Sequence, residues 1–148
     1  MFNQSFIALV ATYFFGIILN VKGKKLIFAS FGGGLAWYVY IFSISKNIDN
    51  ALAYFLASIA LTIYSELFAR LLKTPVTTML IPGLIPLVPG GGIFYTMLYT
   101  VQKDTNSALF KGIETLFAAS ALAFGIVFVS SISKIIKDIR KGNIRKIK

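Results

Sequence analysis

A cluster of prolines and glycines interrupts the most apolar part of this sequence. Between Thr74 and Val101 no side chain is charged, and such a run is typical of a helix that spans a membrane. Yet residues 82–92, PGLIPLVPGGG, contain three prolines and four glycines. Proline removes a backbone hydrogen-bond donor and clashes with the preceding turn, and glycine disfavours the helix. We therefore expect these eleven residues to be unwound inside the bilayer.

The composition indicates an integral membrane protein. Of the 148 residues, 57% are hydrophobic, whereas soluble domains have roughly 45–50%. The apolar runs are long enough for five membrane-spanning helices of roughly 20 residues each, joined by short connections. The predicted helices are residues 4–21, 26–45, 51–72, 75–101 and 110–138. We predict one all-α transmembrane domain over residues 1–148, a bundle of about five helices with the fourth one broken.

Lysine and arginine predict the orientation, because they concentrate in cytoplasmic loops. With the N-terminus outside, the C-terminus cytoplasmic and five crossings, twelve of the fifteen basic residues face the cytoplasm. A re-entrant fourth segment would leave seven inside and eight outside, so we expect it to cross. The basic tail, residues 134–148, then faces anionic lipid headgroups with an amphipathic surface. We interpret the net charge of +10 in this way and expect no nucleic-acid partner.

Residues that support catalysis or metal binding are scarce. The chain has no cysteine, no histidine and five acidic residues, which excludes thiol chemistry, the usual zinc sites and Ser-His-Asp triads. We therefore expect neither an enzyme nor a metal or other cofactor. A complete transporter usually needs more than five helices and more polar groups inside the bundle than this sequence offers. We therefore expect the chain to work as part of a hetero-oligomer.

The broken segment is the candidate site. Backbone groups released from a helix cannot face lipid, and they persist only when protein buries them or when they line a wet cavity. The N-terminus of a half-helix suits an anionic group of a solute, and the carbonyl end suits an ammonium. The alternative is a simple kink with glycines that serve packing. Candidate pathway residues are Pro82, Gly83, Pro86, Pro89, Gly90, Gly91, Gly92, Tyr95, Tyr99, Thr62 and Ser65.

Each of these side chains also has a purely structural interpretation. Tyr95 and Tyr99 are four residues apart and either form an interfacial belt or bind solute. Thr62 and Ser65 either bond across helices or line the pathway. Gly32, Gly33 and Gly34 predict close packing of the second helix.

Two carboxylates are candidates for proton coupling, because acids within membrane helices are costly. Glu66 lies four residues before Arg70, so it forms either an interfacial ion pair or a proton-linked group beside the solute path. Glu114 and Lys111 at the other end have the same two interpretations.

The fourth segment, with ARLLKTP before it and GGIFYTML near its end, resembles the threonine/serine exporter family. Residues 15–40, FGIILNVKGKKLIFASFGGGLAWYVY, fit the same family, and the chain length is similar to that of its short component. That component corresponds to the C-terminal half of the fused exporters.

The resemblance implies a subunit in the bacterial inner membrane that works with a larger companion. Such a pair exports threonine and serine, or a dicarboxylate such as succinate, with the proton gradient as the driving force. The alternative function is a scaffold or assembly protein that transports nothing. No acid is predicted at the midplane, so proton coupling belongs either to Glu66 and Glu114 or to the companion.

Overall fold

The structure is a computed structural model that describes the backbone of residues 1–145 and the side chains of residues 1–137 and 139. These residues form six α-helices and no β-strand. The helices are α1 (Phe2–Ile18), α2 (Lys24–Ser45), α3 (Asn50–Leu71), α4 (Thr77–Leu84), α5 (Gly90–Val101) and α6 (Thr105–Arg145). A 3₁₀ turn, Ile85–Leu87, follows α4 directly.

Several of these helices are long and apolar enough to cross a membrane. In the described residues α2, α3 and α6 each meet that requirement singly. Helix α4 with its 3₁₀ turn and α5 meet it together, as one span bent by 44°. Helix α1 is apolar but shorter, with 17 residues. The predicted class, an all-helical membrane protein with several spans, is confirmed.

Tight turns at the helix ends bring consecutive helices side by side. The helices α1, α2, α3 and α5 are each followed by a residue with positive φ: Asn20, Asn47, Lys73 and Lys103. The next N–H then reaches back to a carbonyl five residues earlier, as from Val21 to Gly16 at 2.9 Å and from Thr74 to Ala69 at 2.9 Å. These bonds satisfy carbonyls that the helix end leaves free.

Small residues hold the bundle centre together. Gly33 of α2 lies against Thr12 of α1, and Gly125 of α6 lies against Ser58 of α3. Gly83 of α4 is covered by Leu61 of α3 and the backbone of Gly33. Close backbone approach of this kind drives helix association where lipid removes the hydrophobic driving force. Helix α4 therefore packs into the bundle against α2 and α3, whereas α5 packs against α6.

The expectation of eleven unwound residues is wrong. Only Val88 and Pro89 of the motif lie outside helical structure. Pro82 lies within α4, and Pro86 lies in the 3₁₀ turn, where the Val88 N–H donates to the Ile85 carbonyl at 3.2 Å. The three glycines form the first turn of α5, where N–H groups need no acceptor within the helix. The motif therefore makes a two-residue break with a new helix start.

Helix α6 begins earlier than the predicted residue 110. Asp104 accepts a hydrogen bond from the Ser107 N–H at 3.2 Å, which is the geometry of an N-cap, and α6 starts at Thr105. The helix continues into the predicted basic tail as far as Arg145. Residues 146–148, and the side chains of 138 and 140–145, lie outside the described residues, so the lipid-facing surface predicted for this tail stays a prediction.

Candidate functional site

A cavity of about 320 Å³ lies where the α4–α5 break faces α2, α3 and α6. We call it the break cavity. Its volume is at the lower end of the roughly 300–1,000 Å³ that small-molecule sites occupy. It is lined by Trp37, Tyr40, Asn50, Tyr54, Val88, Pro89, Gly90, Gly91, Gly92, Tyr95, Lys111, Glu114, Thr115 and Ala118. Four helices and the break therefore contribute both polar and apolar groups to one concavity.

The start of α5 presents bare backbone to this cavity. A Cβ atom added to Gly90 or Gly91 would meet no atom within 4 Å. The Gly90 N–H donates to the Val88 carbonyl at 2.7 Å, and no side chain caps the helix. The N–H groups of Gly91 and Gly92 have no acceptor within the helix, so the positive end of the α5 dipole faces the cavity.

Glu114 lies across the cavity from this helix end and belongs to a hydrogen-bonded chain. Its Oε2 accepts from Lys111 Nζ at 2.8 Å, and its Oε1 accepts from Asn50 Nδ2 at 3.3 Å. The Tyr40 hydroxyl donates to Asn50 Oδ1 at 3.0 Å. The chain joins α6, α3 and α2, and it holds the carboxylate in a fixed position although its side chain is 37% exposed.

The cavity contains groups for both charges of a zwitterion. The free N–H groups of α5 and the Lys111 ammonium suit a carboxylate, because charge-assisted hydrogen bonds are among the strongest in proteins. Glu114 suits an ammonium. The amide of Asn50 and the Tyr40 hydroxyl add neutral donors and acceptors beside these charges.

The comparison with protein families shows which family this chain belongs to. The family described as "Threonine/Serine exporter, ThrE" has a model that matches residues 4–132 of this chain. The chain belongs to the threonine/serine exporter family. No curated protein and no solved structure matches it significantly. The resemblance carried by the proline-glycine motif is thereby confirmed, and the family is one of transporters rather than of enzymes.

The structure of this exporter-family chain brings some of the predicted site residues together. Pro89, Gly90, Gly91, Gly92, Tyr95 and Glu114 line the break cavity. Tyr99 lies in a neighbouring cavity of about 550 Å³, which shares Tyr95, Lys111 and Glu114 with the break cavity. These two cavities meet at the Lys111–Glu114 pair.

Other predicted pathway residues lie away from the break cavity. Pro82 and Gly83 are buried in the packing of α4, and Pro86 borders a separate apolar cavity of about 290 Å³ with Trp37 and Gln4. Thr62 is fully buried, and its hydroxyl donates to the Ser58 carbonyl at 2.7 Å. Ser65 is also fully buried, and its hydroxyl has no hydrogen-bond partner among the described residues.

Glu66 lies in a separate ionic cluster near the C-terminal end of α3. Its Oε2 accepts from Lys137 Nζ at 3.1 Å and lies 3.4 Å from Arg70 Nη2. Arg70 also donates to the Ser133 hydroxyl at 2.7 Å. The sequence indicated Arg70 as a partner, and the structure adds Lys137 from the distant part of α6. Glu66 is thus held by two cations and does not line the break cavity.

Sequence reasoning missed Asn50, Tyr40 and Tyr54 as residues of the cavity. Asn50 belongs to the polar connection KNIDN, which reads as a loop, and it meets Glu114 across 64 positions of sequence. No spacing rule links such positions. The one usable signal was the clustering of Trp37, Tyr38 and Tyr40 near the same end of α2.

Proposed function

We propose that this chain is a subunit of a secondary transporter that exports threonine, serine or a related small amino acid, with the break cavity as its solute site. The observation that carries the proposal is the pairing, in one cavity, of the uncapped α5 N-terminus with the Glu114 carboxylate. A zwitterionic solute needs a partner for its carboxylate, which the helix N-terminus offers, and a partner for its ammonium, which Glu114 offers. Family membership supports the solute class.

In this proposal each charged group of the solute has one partner. The solute carboxylate binds the free N–H groups of Gly91 and Gly92, while Lys111 contributes a second positive charge. The solute ammonium takes the place that Lys111 Nζ now occupies beside Glu114. The side-chain hydroxyl of threonine or serine bonds to Asn50 or Tyr40. Most of the solute's lost hydration is thus replaced by charge-assisted bonds.

Proton coupling follows from competition at Glu114. A protonated Glu114 has no charge for the ammonium, so a proton and the solute exclude each other at this carboxylate. Exchange of one for the other couples export to the proton gradient. The position of Glu114 in the third turn of α6, at the end of the bundle opposite the basic α1–α2 connection, supports an opening away from the cytoplasm.

The proposal retains the predicted topology and partner. Five spans, with the bent α4–α5 pair as the fourth, give an outer N-terminus and a cytoplasmic C-terminus in the bacterial inner membrane. A larger subunit of the same family completes the transport path. The exposed apolar faces of α1, α5 and α6 are available to lipid and to that subunit.

The test is threonine efflux from cells that co-express the chain with a larger family subunit from the same genome. Cells are loaded with a threonine-rich peptide, and variants are compared at equal protein levels in the membrane. We expect Glu114→Gln to lower efflux at least about tenfold, since it removes a charged hydrogen-bond acceptor. Glu66→Gln is the matched control, because it removes the other membrane carboxylate without changing the break cavity. Equal efflux in Glu114→Gln and wild type would contradict the site, and equal efflux with and without this chain would favour a scaffold role.

A further inference from the structure

A further cavity, of about 470 Å³, lies at the end of the broken span opposite the break cavity. The α1–α2 connection and the first turn of α2 form one wall with Asn20, Lys22 and Lys25. The residues around the start of α4 form the other wall with Thr74, Thr77 and Thr78. We call it the basic cavity. It includes Thr77, Thr78, Ile81 and Pro82 of the broken span but no residue of the break cavity.

The charges of the basic cavity have one sign. Lys22 and Lys25 supply two ammonium groups, neither of which forms an ion pair with a described residue. No acidic residue of the described chain lines this cavity. The break cavity, by contrast, pairs Lys111 with Glu114. An anionic group fits the basic cavity, whereas the cation of a zwitterion finds no carboxylate there.

The opposite wall supplies hydroxyl donors for an anion. The Thr74 hydroxyl donates a long hydrogen bond of 3.4 Å to the Thr78 hydroxyl, so the hydrogen of the Thr78 hydroxyl is available to another acceptor. The backbone N–H groups of Thr78 and Met79 donate to the carbonyls of Pro75 and Val76, so the threonine side chains are the main donors on this wall. A lysine ammonium binds phosphate oxygens as a point charge, and a hydroxyl group can add a hydrogen bond to the same phosphate.

An apolar surface continues from these polar groups along the span. Leu19 and Ile81 line the same cavity and are 44% and 48% exposed. Ile81 lies about one helical turn beyond Thr77 and Thr78, so it is displaced along the helix axis toward the middle of the span. Charge and hydroxyls at one end, followed by aliphatic side chains, match a headgroup followed by an acyl chain.

We propose that the basic cavity binds one anionic phospholipid. Its phosphate is held by Lys22 and Lys25 and by the hydroxyls of Thr74 and Thr78, and one acyl chain lies on Leu19 and Ile81. Basic pockets between membrane helices bind acidic headgroups in this way. The lipid then joins the α1–α2 connection to the start of α4 and fixes the α4 half of the broken span. This inference concerns lipid binding and does not depend on the proposed transport site.

The test measures lipid binding to the purified chain in detergent by native mass spectrometry. The probes are phosphatidylglycerol and phosphatidylcholine with the same acyl chains, and soluble glycerol 3-phosphate. We expect phosphatidylglycerol to bind at least about tenfold more tightly than the other two, because only it combines a net negative charge with acyl chains. Equal binding of phosphatidylcholine, or glycerol 3-phosphate that competes at equal concentration, overturns the proposal.

Paired variants locate the site. Lys22→Gln with Lys25→Gln should weaken phosphatidylglycerol binding about tenfold, as expected for the loss of two charge-assisted contacts. Lys24→Gln with Lys73→Gln removes the same charge from the same end without altering the cavity lining, and it should bind as wild type does. Equal losses in both pairs mean nonspecific charge attraction and contradict the site. Lys22→Arg with Lys25→Arg keeps the charge and should retain binding, which separates lost contacts from lost folding.

Discussion

The proline-glycine motif contains two halves with the same residue types and different surroundings. Pro82 and Gly83 are buried inside α4, and a Cβ on Gly83 would lie 2.7 Å from Leu61 Cδ1 and 3.4 Å from the Gly33 nitrogen. Gly90 and Gly91 begin α5, and a Cβ on either meets nothing within 4 Å. Every residue of α5 is described, and none is fully buried. The Pro82–Gly83 half therefore packs inside the helix bundle, whereas the Gly90–Gly91 half borders an open cavity.

This contrast shows what local composition cannot decide. Proline and glycine weaken a helix in both halves, yet α4 stays helical because α2 and α3 pack against it. Among the described elements, α6 alone packs closely against α5, so the backbone at the break faces a cavity. Gly83 is buried and Gly90 is exposed because different helices surround them, and the sequence of the motif itself does not determine this difference.

The largest expected effect is on folding, from Gly83→Leu. The new side chain has no room between Leu61 and Gly33, and overpacking of this kind destabilises by about 1–3 kcal/mol or more. We expect little folded protein in the membrane and a lower melting temperature of what remains. Gly90→Leu is the matched control and should accumulate normally. Similar melting temperatures for both variants would show that the two halves are not packed differently.

The next effect is on transport, from Gly90→Leu and Gly91→Leu. Because the new side chains extend into the break cavity, they should block solute while protein levels stay normal. We expect threonine efflux to fall about tenfold for leucine, with alanine in between, in proportion to the filled volume. Unchanged efflux in both leucine variants would remove the break from the transport path.

A third comparison concerns the two membrane carboxylates. Glu66→Gln leaves Arg70 and Lys137 without their shared partner, and we expect a loss of unfolding free energy of about 1 kcal/mol, since both cations are partly exposed. Efflux should remain sensitive to a protonophore. A double variant with Lys137→Gln should lose less than the sum of the single losses. Protonophore-resistant efflux in Glu66→Gln would move proton coupling from Glu114 to Glu66.

The sequence allowed prediction of what depends on local chemistry. The break and the membrane class follow from proline, glycine and hydropathy, whereas the role of Glu114, suggested by the cost of an intramembrane acid, stays a prediction. The number of unwound residues was wrong, because a 3₁₀ turn and a glycine helix start take up most of the motif. Asn50 beside Glu114 and Lys137 beside Glu66 depend on helix pairs separated by 64 and 71 positions. Because the sequence does not show which helices pack together, it predicted a candidate segment of the chain but not the cavity that the segment lines.

The smallest effect tests whether the far wall of the break cavity takes part in binding. Tyr40→Phe removes only the hydroxyl that donates to Asn50 and so fixes the amide beside Glu114. A lost hydrogen bond of this kind is worth about 1 kcal/mol, so we expect about a fivefold rise in the half-saturating threonine concentration with little change in maximal efflux. Tyr38→Phe is the control, because its ring packs on Phe2 and Phe42 and it does not line the cavity. A change in maximal efflux alone would assign Tyr40 to the conformational step, whereas equal behaviour of both variants would confine solute recognition to α5 and α6.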